Sequence, residues 1–393
     1  MKNTKLQLLI LYISICLVLL LRISVESTGY MSPDSDFYIQ TANNSLQGKG
    51  FITPITYPFD ETTPESFTAI WPIGYPALIA VFSYITGTDT VLSSKAVNII
   101  FLGFIFILLY RWYGENSLLP ACYFCSIGLL EIYSYTWSEG AFLFFLLWLL
   151  FLLEQMLTGE NAKKNTILLI VCLTAMTLLR YAGLIYFFYL SLLSIALLWK
   201  KKFAVARPII LALVIASLLV ISYLSMNYFL SGGFFGNSPR LFPHQESWSE
   251  FLWTFFDGWI NEFFIIRNFY WEWDTLFILM LIVQLIICYT VFKKAEWRFD
   301  SSKRIHLSIM ISSGLFYLIF IVILRKISPF DAFDYRILAP FSAPIFIGIL
   351  ANLEDRKMQH ENNYIKIVIA GFFILSLLMN LPKTFILKSI GIL

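Results

Sequence analysis

Charge is what this sequence has least of. Only 13% of its 393 residues are Asp, Glu, Lys or Arg, against 59% hydrophobic, and the mean hydropathy is +0.74. A soluble domain carries about 25% charged residues, so a water-surrounded globule is excluded. The net charge of +3 is small and scattered over short segments, which leaves no footprint for nucleic acid. The five cysteines, Cys16, Cys122, Cys125, Cys172 and Cys288, all fall inside apolar runs. The Cys122–Cys125 pair lacks the second pair of ligands that a zinc site needs, so these residues read as small hydrophobes and define no redox compartment. Internal repeats are also missing, which counts against a transporter or flippase built from two halves.

What the sequence has instead is apolar runs, several of them near the ~20 residues that cross a bilayer core. Lipid offers the backbone no hydrogen-bond partner, so each run is expected as a helix. The runs lie at 6–25, 92–110, 118–135, 141–157, 166–179, 184–199, 208–230, 275–292, 306–324, 337–353 and 364–381. They predict an all-α, polytopic transmembrane helical bundle of about eleven spans. The first run is too long for a signal-peptide core and is read as a retained helix. The shorter stretch 74–86 should lie in the interface.

Lys and Arg recur on alternate sides: Lys2 and Lys5, Arg111, Lys163 and Lys164, Lys200 to Lys202, Lys293 and Lys294, Arg356 and Lys357. By the positive-inside rule that side is cytoplasmic, and the long polar segments 26–71, 231–274 and 325–336 face outward. Along the chain this gives an N-terminal transmembrane module (1–230) that includes the acidic loop 26–71, then an aromatic outer loop (231–274), then C-terminal helices (275–393).

The loop 26–71 carries Glu26, Asp34, Asp36, Asp60, Glu61 and Glu65 against Lys49 alone. Inside it, Ser32 suits an N-cap, Pro33 the first helical position and Gly48 a stop, so "PDSDFYIQTANNSLQ" reads as one short helix. Asp34 falls in its first turn, where the helix dipole favours negative charge, one turn before Tyr38 on the same face. In 231–274, "SWSEFLWTFFDGWINEFF" reads as an interfacial amphipathic helix.

Several stretches in order resemble one family. "DSDFYIQTANNSLQGKGF" (34–51), "WPIGYPALIAVFSYITG" (71–87), "SEGAFLFFLLWLL" (138–150), "LLRYAGL" (178–184) and "DYRILAPFSAP" (334–344) are similar to motifs of GT-C superfamily membrane glycosyltransferases. The nearest members are related to protein O-mannosyltransferases and to Rgt-type lipopolysaccharide glycosyltransferases. The sequence departs from the pattern in having Trp71-Pro72 where paired prolines are usual, and Ser-Glu-Gly in place of Ser/Thr-Glu-Pro.

The resemblance implies an inverting enzyme of a bacterial inner membrane with its active site on the outer face. It would transfer a sugar from a polyprenyl-phosphate donor to a lipopolysaccharide, another glycan or a protein of the cell envelope. It makes Asp34 the base, with Asp36 beside it as the other candidate. Arg336 and Arg180 become the donor-phosphate ligands, and Tyr38, Glu139 and Tyr75 supporting residues. The resemblance names no certain cofactor, and a divalent cation held by Asp34 and Asp36 stays open, two acids without a third ligand being a weak site. The residue types fit that chemistry, since a carboxylate takes a hydroxyl proton and arginine forks stabilise a departing phosphate. Glu139 and Arg180 sit at span ends, where a charge needs a partner or a function. Arg325 and Lys326 are expected to pair with Asp331 and Asp334 or to snorkel to lipid headgroups, and His244 to be a solvated loop residue. An O-antigen polymerase or ligase is the competing enzyme class, but such proteins centre on late arginines rather than an early acid.

Overall fold

Helices are the way an apolar chain closes its own backbone hydrogen bonds, and they dominate the computed structural model. It describes residues 3–54, 64–160, 162–236, 246–266, 275–294, 301–327, 333–354 and 360–382. In chain order the helices are α1 (Thr4–Val25), α2 (Pro33–Leu46), α3 (Gly74–Thr86), α4 (Thr90–Tyr113), α5 (Leu118–Cys122), α6 (Ile127–Ser134), α7 (Glu139–Leu157) and α8 (Ala162–Leu179). They continue as α9 (Leu184–Trp199), α10 (Phe203–Ser231), α11 (Trp248–Phe263), α12 (Thr275–Lys294), α13 (Ser301–Ile327), α14 (Tyr335–Glu354) and α15 (His360–Met379). Two short strands, β1 (Ile52–Pro54) and β2 (Glu65–Phe67), pair antiparallel with Thr53 opposite Ser66.

Among the described residues, eight helices are long and apolar enough to cross a membrane: α1, α4, α7, α8, α9, α10, α13 and α14. The other three expected runs are present as shorter or broken helices. Ile278–Thr290 and Tyr364–Met379 are the apolar parts of α12 and α15. The run 118–135, expected as one span, is instead α5, a 3-10 turn (Tyr123–Cys125) and α6. The break falls at Ser126, whose backbone is extended at ψ 147°. The next N–H, freed from a helical partner, donates from Ile127 to the Ile265 carbonyl at 2.9 Å. The stretch 74–86 is indeed short, and Gly87 stops it at φ +70°.

The chain folds into two compact units. The first comprises Met1–Tyr30, Gly103–Ser134 and Gln245–Leu393, and the second Met31–Leu102 and Tyr135–His244. In the first unit α13 packs on α14 through glycines. A Cβ on Gly314 would stand 2.4 Å from the Phe341 carbonyl oxygen, and one on Gly348 2.9 Å from Met310 Cβ. Small residues let two membrane helices approach this closely. In the second unit α7, α8, α9 and α10 form the bundle. The amphipathic α2 and α3 lie on it through a buried cluster of Tyr38, Ala42, Tyr75, Ile79, Val97, Ala141 and Leu179. Gly74 sets that approach, since a Cβ there would stand 2.5 Å from the Leu178 carbonyl oxygen.

Candidate functional site

The second unit places its acids by capping. Ser32 closes α2 in a capping box with Ser35: its hydroxyl accepts from Ser35 N–H, and Ser35 Oγ accepts from Ser32 N–H at 3.1 Å. Pro33 follows at the first helical position, and Asp34 and Asp36 occupy the first turn, both half-buried. That turn is fastened to the strip that leads into α7. Ser35 Oγ donates to the Thr136 carbonyl at 3.0 Å. Trp137 Nε1 donates to Ser32 Oγ at 2.8 Å, and Tyr38 OH lies 3.4 Å from Ser138 Oγ. With the N-cap, the helix body and the strip all fixed, the two carboxylates have little backbone freedom.

Around this turn the other candidates assemble. Tyr75, from the first turn of α3, meets Tyr38 edge-on with ring centroids 5.1 Å apart. Its hydroxyl donates to Asn98 Oδ1 at 3.0 Å, and Asn98 Nδ2 donates on to the Tyr135 carbonyl at 2.7 Å. Burial pushes the Tyr75 phenol up, with Tyr38 and Glu139 adding to the effect, so it stays a proton donor. Glu139 opens α7 with its side chain 2% exposed, and Arg180, just past the end of α8 and 22% exposed, forms an ion pair with it. The two helices run in opposite directions, which is why residues 41 positions apart meet. The loop folds back over the site as well. Phe37 stacks on Trp71 at 4.6 Å, Asn44 Nδ2 donates to Glu65 Oε1 at 3.2 Å, and Tyr181 OH donates to the Ala69 carbonyl at 2.6 Å.

Six of the seven residues expected from the sequence therefore belong to this unit: Asp34, Asp36, Tyr38, Tyr75, Glu139 and Arg180. Arg336 belongs to the other, where it is the second residue of α14 and half-buried. Asp334 caps that helix, accepting from Ile337 N–H at 2.9 Å. Of the partners expected for Arg325 and Lys326, Asp331 lies outside the described residues and Asp334 accepts from the start of α14; Arg325 pairs with Glu246 at 2.9 Å. Lys326 donates to the Glu246 carbonyl at 3.1 Å and lies over the Trp248 ring. Asp331, Asp60, Glu61 and His244 lie outside the described residues.

The aromatic helix is present as α11, with a Ser247–Glu250 capping box. Its Trp248, Leu252, Trp253, Phe256 and Trp259 are exposed, while Phe251 and Gly258 pack on Phe333. Glu262 near its end turns inward, and Ser342 Oγ donates to its Oε1. Tyr123 OH stands 3.1 Å from Ser342 Oγ. The residue is half-buried, but Oε2 itself is sealed from water, and burial pushes the carboxyl well above the usual carboxylate range.

Sequence reasoning passed over three charges inside apolar runs. Lys95 on α4 is 3% exposed. Arg22 on α1 is paired with Glu131 on α6 and also donates to Ser134 Oγ at 3.2 Å and to the Asn380 carbonyl at 3.4 Å. The signal was available, because an ionisable residue within a membrane run is costly and therefore informative. Among the described residues no group of three or more His, Cys, Asp or Glu is placed to hold a metal ion.

Comparison with known proteins finds no matching family model and no matching curated sequence. Among solved structures, the chain is similar to the crystal structure of ArnT from Cupriavidus metallidurans bound to undecaprenyl phosphate. The two share 11% sequence identity with a TM-score of 0.48, over 98% of this chain and 73% of that one.

Proposed function

We propose that the protein is a membrane glycosyltransferase that takes a sugar from a polyprenyl-phosphate donor and places it on a hydroxyl of a cell-envelope acceptor. The observation that carries this reading is the joint placement of an acid and an arginine at one end of one bundle. The acid-bearing first turn of α2 is hydrogen-bonded to residues 136–138, and the next residue, Glu139, holds Arg180. These are the same stretches whose order in the chain resembles the GT-C motifs. The Lys and Arg distribution supports an outer position for that end.

The chemistry asked of the site is an in-line displacement. The acceptor oxygen bonds to the anomeric carbon while the bond from that carbon to the phosphate oxygen breaks. The phosphate leaves with the bonding electrons, and the acceptor proton passes to the Asp34 carboxylate. Configuration inverts because attack and departure lie on opposite faces of the ring. General-base assistance of this kind contributes roughly 10²–10⁴-fold. Arg180 offers fork donors to the growing phosphate charge, while Glu139 fixes the guanidinium in place. Tyr38 and Tyr75 form the wall against which the acid-bearing turn is held. A donor soluble only in lipid requires a site at the membrane edge, and half-buried carboxylates on an amphipathic helix would suit that position.

The test is to compare envelope glycans of a deletion strain with wild type by mass spectrometry. Loss of one sugar from an otherwise complete glycan, restored by the wild-type gene and not by Asp34→Asn, is the expected outcome. Loss of a whole polymer would instead favour a polymerase or ligase. An unchanged set of glycans would end the proposal.

A further inference from the structure

The second unit holds a hydroxyl network that the transfer scheme does not use. Tyr181 directly follows Arg180. Its phenol donates to the Ala69 carbonyl at 2.6 Å and accepts from Asn227 Nδ2 at 3.0 Å. Asn227 lies on α10, one turn after Tyr223, and is fully buried. Its Nδ2 donates also to the Phe234 carbonyl at 3.0 Å, but its Oδ1 meets no hydrogen-bond partner among the described residues. An asparagine sealed among apolar helices with an orphaned acceptor is costly, and a leucine of similar size would avoid that cost. The side chain it holds is Tyr181.

Tyr181 meets a strap. Residues 68–73 run from β2 to α3 and are tied on two sides. On one side is α2, where Thr41 Oγ1 lies 3.0 Å from Thr68 Oγ1 and Phe37, next in the chain to Asp36, stacks on Trp71. On the other side are the Arg180 corner and α10. Tyr181 holds the Ala69 carbonyl, and Tyr223 OH accepts from Ile73 N–H at 3.3 Å. The corner itself is stiff. Arg180 is extended, at φ −151° and ψ 136°, between α8 and the 3-10 turn Tyr181–Gly183. Its N–H donates to the Met176 carbonyl and its carbonyl accepts from Gly183 N–H, both at 2.9 Å. The strap therefore joins the helix that carries the acids to the corner that carries the arginine. The contacts of 136–138 with α2, and of Glu139 with Arg180, connect the same two parts by a separate route.

We propose that Tyr181 is a positioning residue for the transfer: backed by Asn227, its hydroxyl fixes the strap and so sets the separation between the acid-bearing turn of α2 and Arg180. The inference rests on the function proposed above and adds to it a group that acts through others. In-line displacement needs the base and the phosphate ligand on opposite sides of one carbon, so their separation enters the rate of transfer. A misplacement of about 1 Å can cost on the order of 10²-fold. Binding of the phosphate draws on the arginine and not on that separation.

The experiment takes two readings of full-length variants. The first is the rate at which the affected glycan reappears when a variant is induced in the deletion strain. The second is the affinity of the purified chain in detergent for undecaprenyl phosphate, read from the shift in its unfolding midpoint. Tyr181→Phe keeps the ring and its edge contact with Phe235 and removes only the hydroxyl. It should slow transfer about tenfold while affinity stays within about twofold of wild type. Arg180→Lys should weaken both. Tyr123→Phe is the control for stability, because it removes a buried hydroxyl bonded to Ser342 in the other unit. Its unfolding midpoint should fall about as far as that of Tyr181→Phe, with transfer at the wild-type rate. Wild-type transfer in Tyr181→Phe, a loss of affinity as large as in Arg180→Lys, or an equal slowing by Tyr123→Phe would overturn the proposal. Should Tyr181→Phe fail to fold, Asn227→Leu loosens the same hydroxyl and gives the same readings. Normal transfer in Tyr181→Phe beside a strong loss in Asp34→Asn would sink this inference alone. Failure of the wild type to bind undecaprenyl phosphate, or full activity of the Asp34→Asn, Asp36→Asn double variant, would sink the transferase reading with it.

Discussion

Arg22 in one unit and Arg180 in the other stand at the C-terminal ends of membrane-spanning helices, and each faces a glutamate near the start or middle of another helix. Beyond that they differ. Arg22 is 6% exposed and uses its guanidinium on Glu131, Ser134 and the Asn380 carbonyl, so one side chain ties α1, α6 and the end of α15 together. Tyr30 stacks on the same group at 5.1 Å. Arg180 is 22% exposed beside a fully sealed Glu139 and lies next to a half-buried acid turn. The first unit turns its polar groups on one another, whereas the second leaves Arg180 partly open to solvent. Under the proposed function, that difference is one between fastening and chemistry.

The largest effect expected is on the accessible side. Asp34→Asn keeps size and most hydrogen bonding but removes the basic oxygen. It should lower transfer by two or more orders of magnitude, on the scale of general-base catalysis. The unfolding midpoint should stay near wild type, and Asp36→Asn should retain most activity. Full activity in both single variants and in the double would show that the half-buried acids have no chemical role and would erase the contrast. On the saturated side the expected effect is on stability alone. Arg22→Met leaves Glu131 as an uncompensated buried carboxylate, a change that costs about 3–5 kcal/mol. Adding Glu131→Leu should recover most of the loss, since an apolar pair of similar volume is often as stable as a buried ion pair. Thermal unfolding of the purified chain reads both, and failure of the double variant to recover would give this pair more than a fastening role.

Smaller and sharper is the comparison of Arg180→Lys with Arg336→Lys. A point charge cannot reproduce a bidentate fork, so loss of a phosphate ligand should cost about tenfold or more in donor use. The resemblance to GT-C enzymes gives both residues that role. Arg325→Lys is the control, because its partner is Glu246 and not a ligand. If Arg325→Lys is as damaging as the other two, the effect reflects general loss of packing and not phosphate recognition.

Much of this architecture was legible from the apolar runs, because a helix in lipid has no alternative. The limits of α2 were legible for a local reason: Ser32, Pro33 and Gly48 fix where a helix can start and stop. α11 was legible from its aromatic amphipathic pattern, while the Ser247–Glu250 capping box that starts it went unread. What failed was long-range or averaged away. Hydropathy windows conceal a single Lys95, Arg22 or Glu131 inside a run, although the first two are buried and Arg22 pairs with Glu131 from a distant helix. The break at Ser126 depends on the Ile265 carbonyl receiving the freed N–H, more than a hundred residues later in the chain. The antiparallel β1–β2 pair, closing the loop onto α2, had no pattern long enough to announce it. Pairings such as Arg325 with Glu246, or Glu139 with Arg180, are set by which ends of helices meet, and composition does not carry that information.

The smallest effect at neutral pH concerns Glu262, and it tests whether the first unit keeps its polar groups for structure. Burial raises the Glu262 carboxyl well above its unfolded value, with the charge of Asp334 adding to the rise and the Ser342 hydrogen bond opposing it. In the folded chain the group is then held as a neutral acid over a range where the unfolded chain has already lost the proton. Between the unfolded and folded pKa values the folded state binds more protons, so stability falls as pH rises through that window. The stabilising share of the neutral acid is complete below the unfolded value and gone above the folded one. Glu262→Gln keeps the Ser342 contact and cannot ionise. The variant should match wild type near pH 4.5 and become progressively more stable than wild type as pH is raised, with sugar transfer little affected. Midpoints followed from pH 4.5 to 9 in the two proteins measure that divergence. Parallel curves would mean that Glu262 is ionised when folded. A loss of transfer in a stable Glu262→Gln would assign it a chemical role and move the boundary between the fastening unit and the working one.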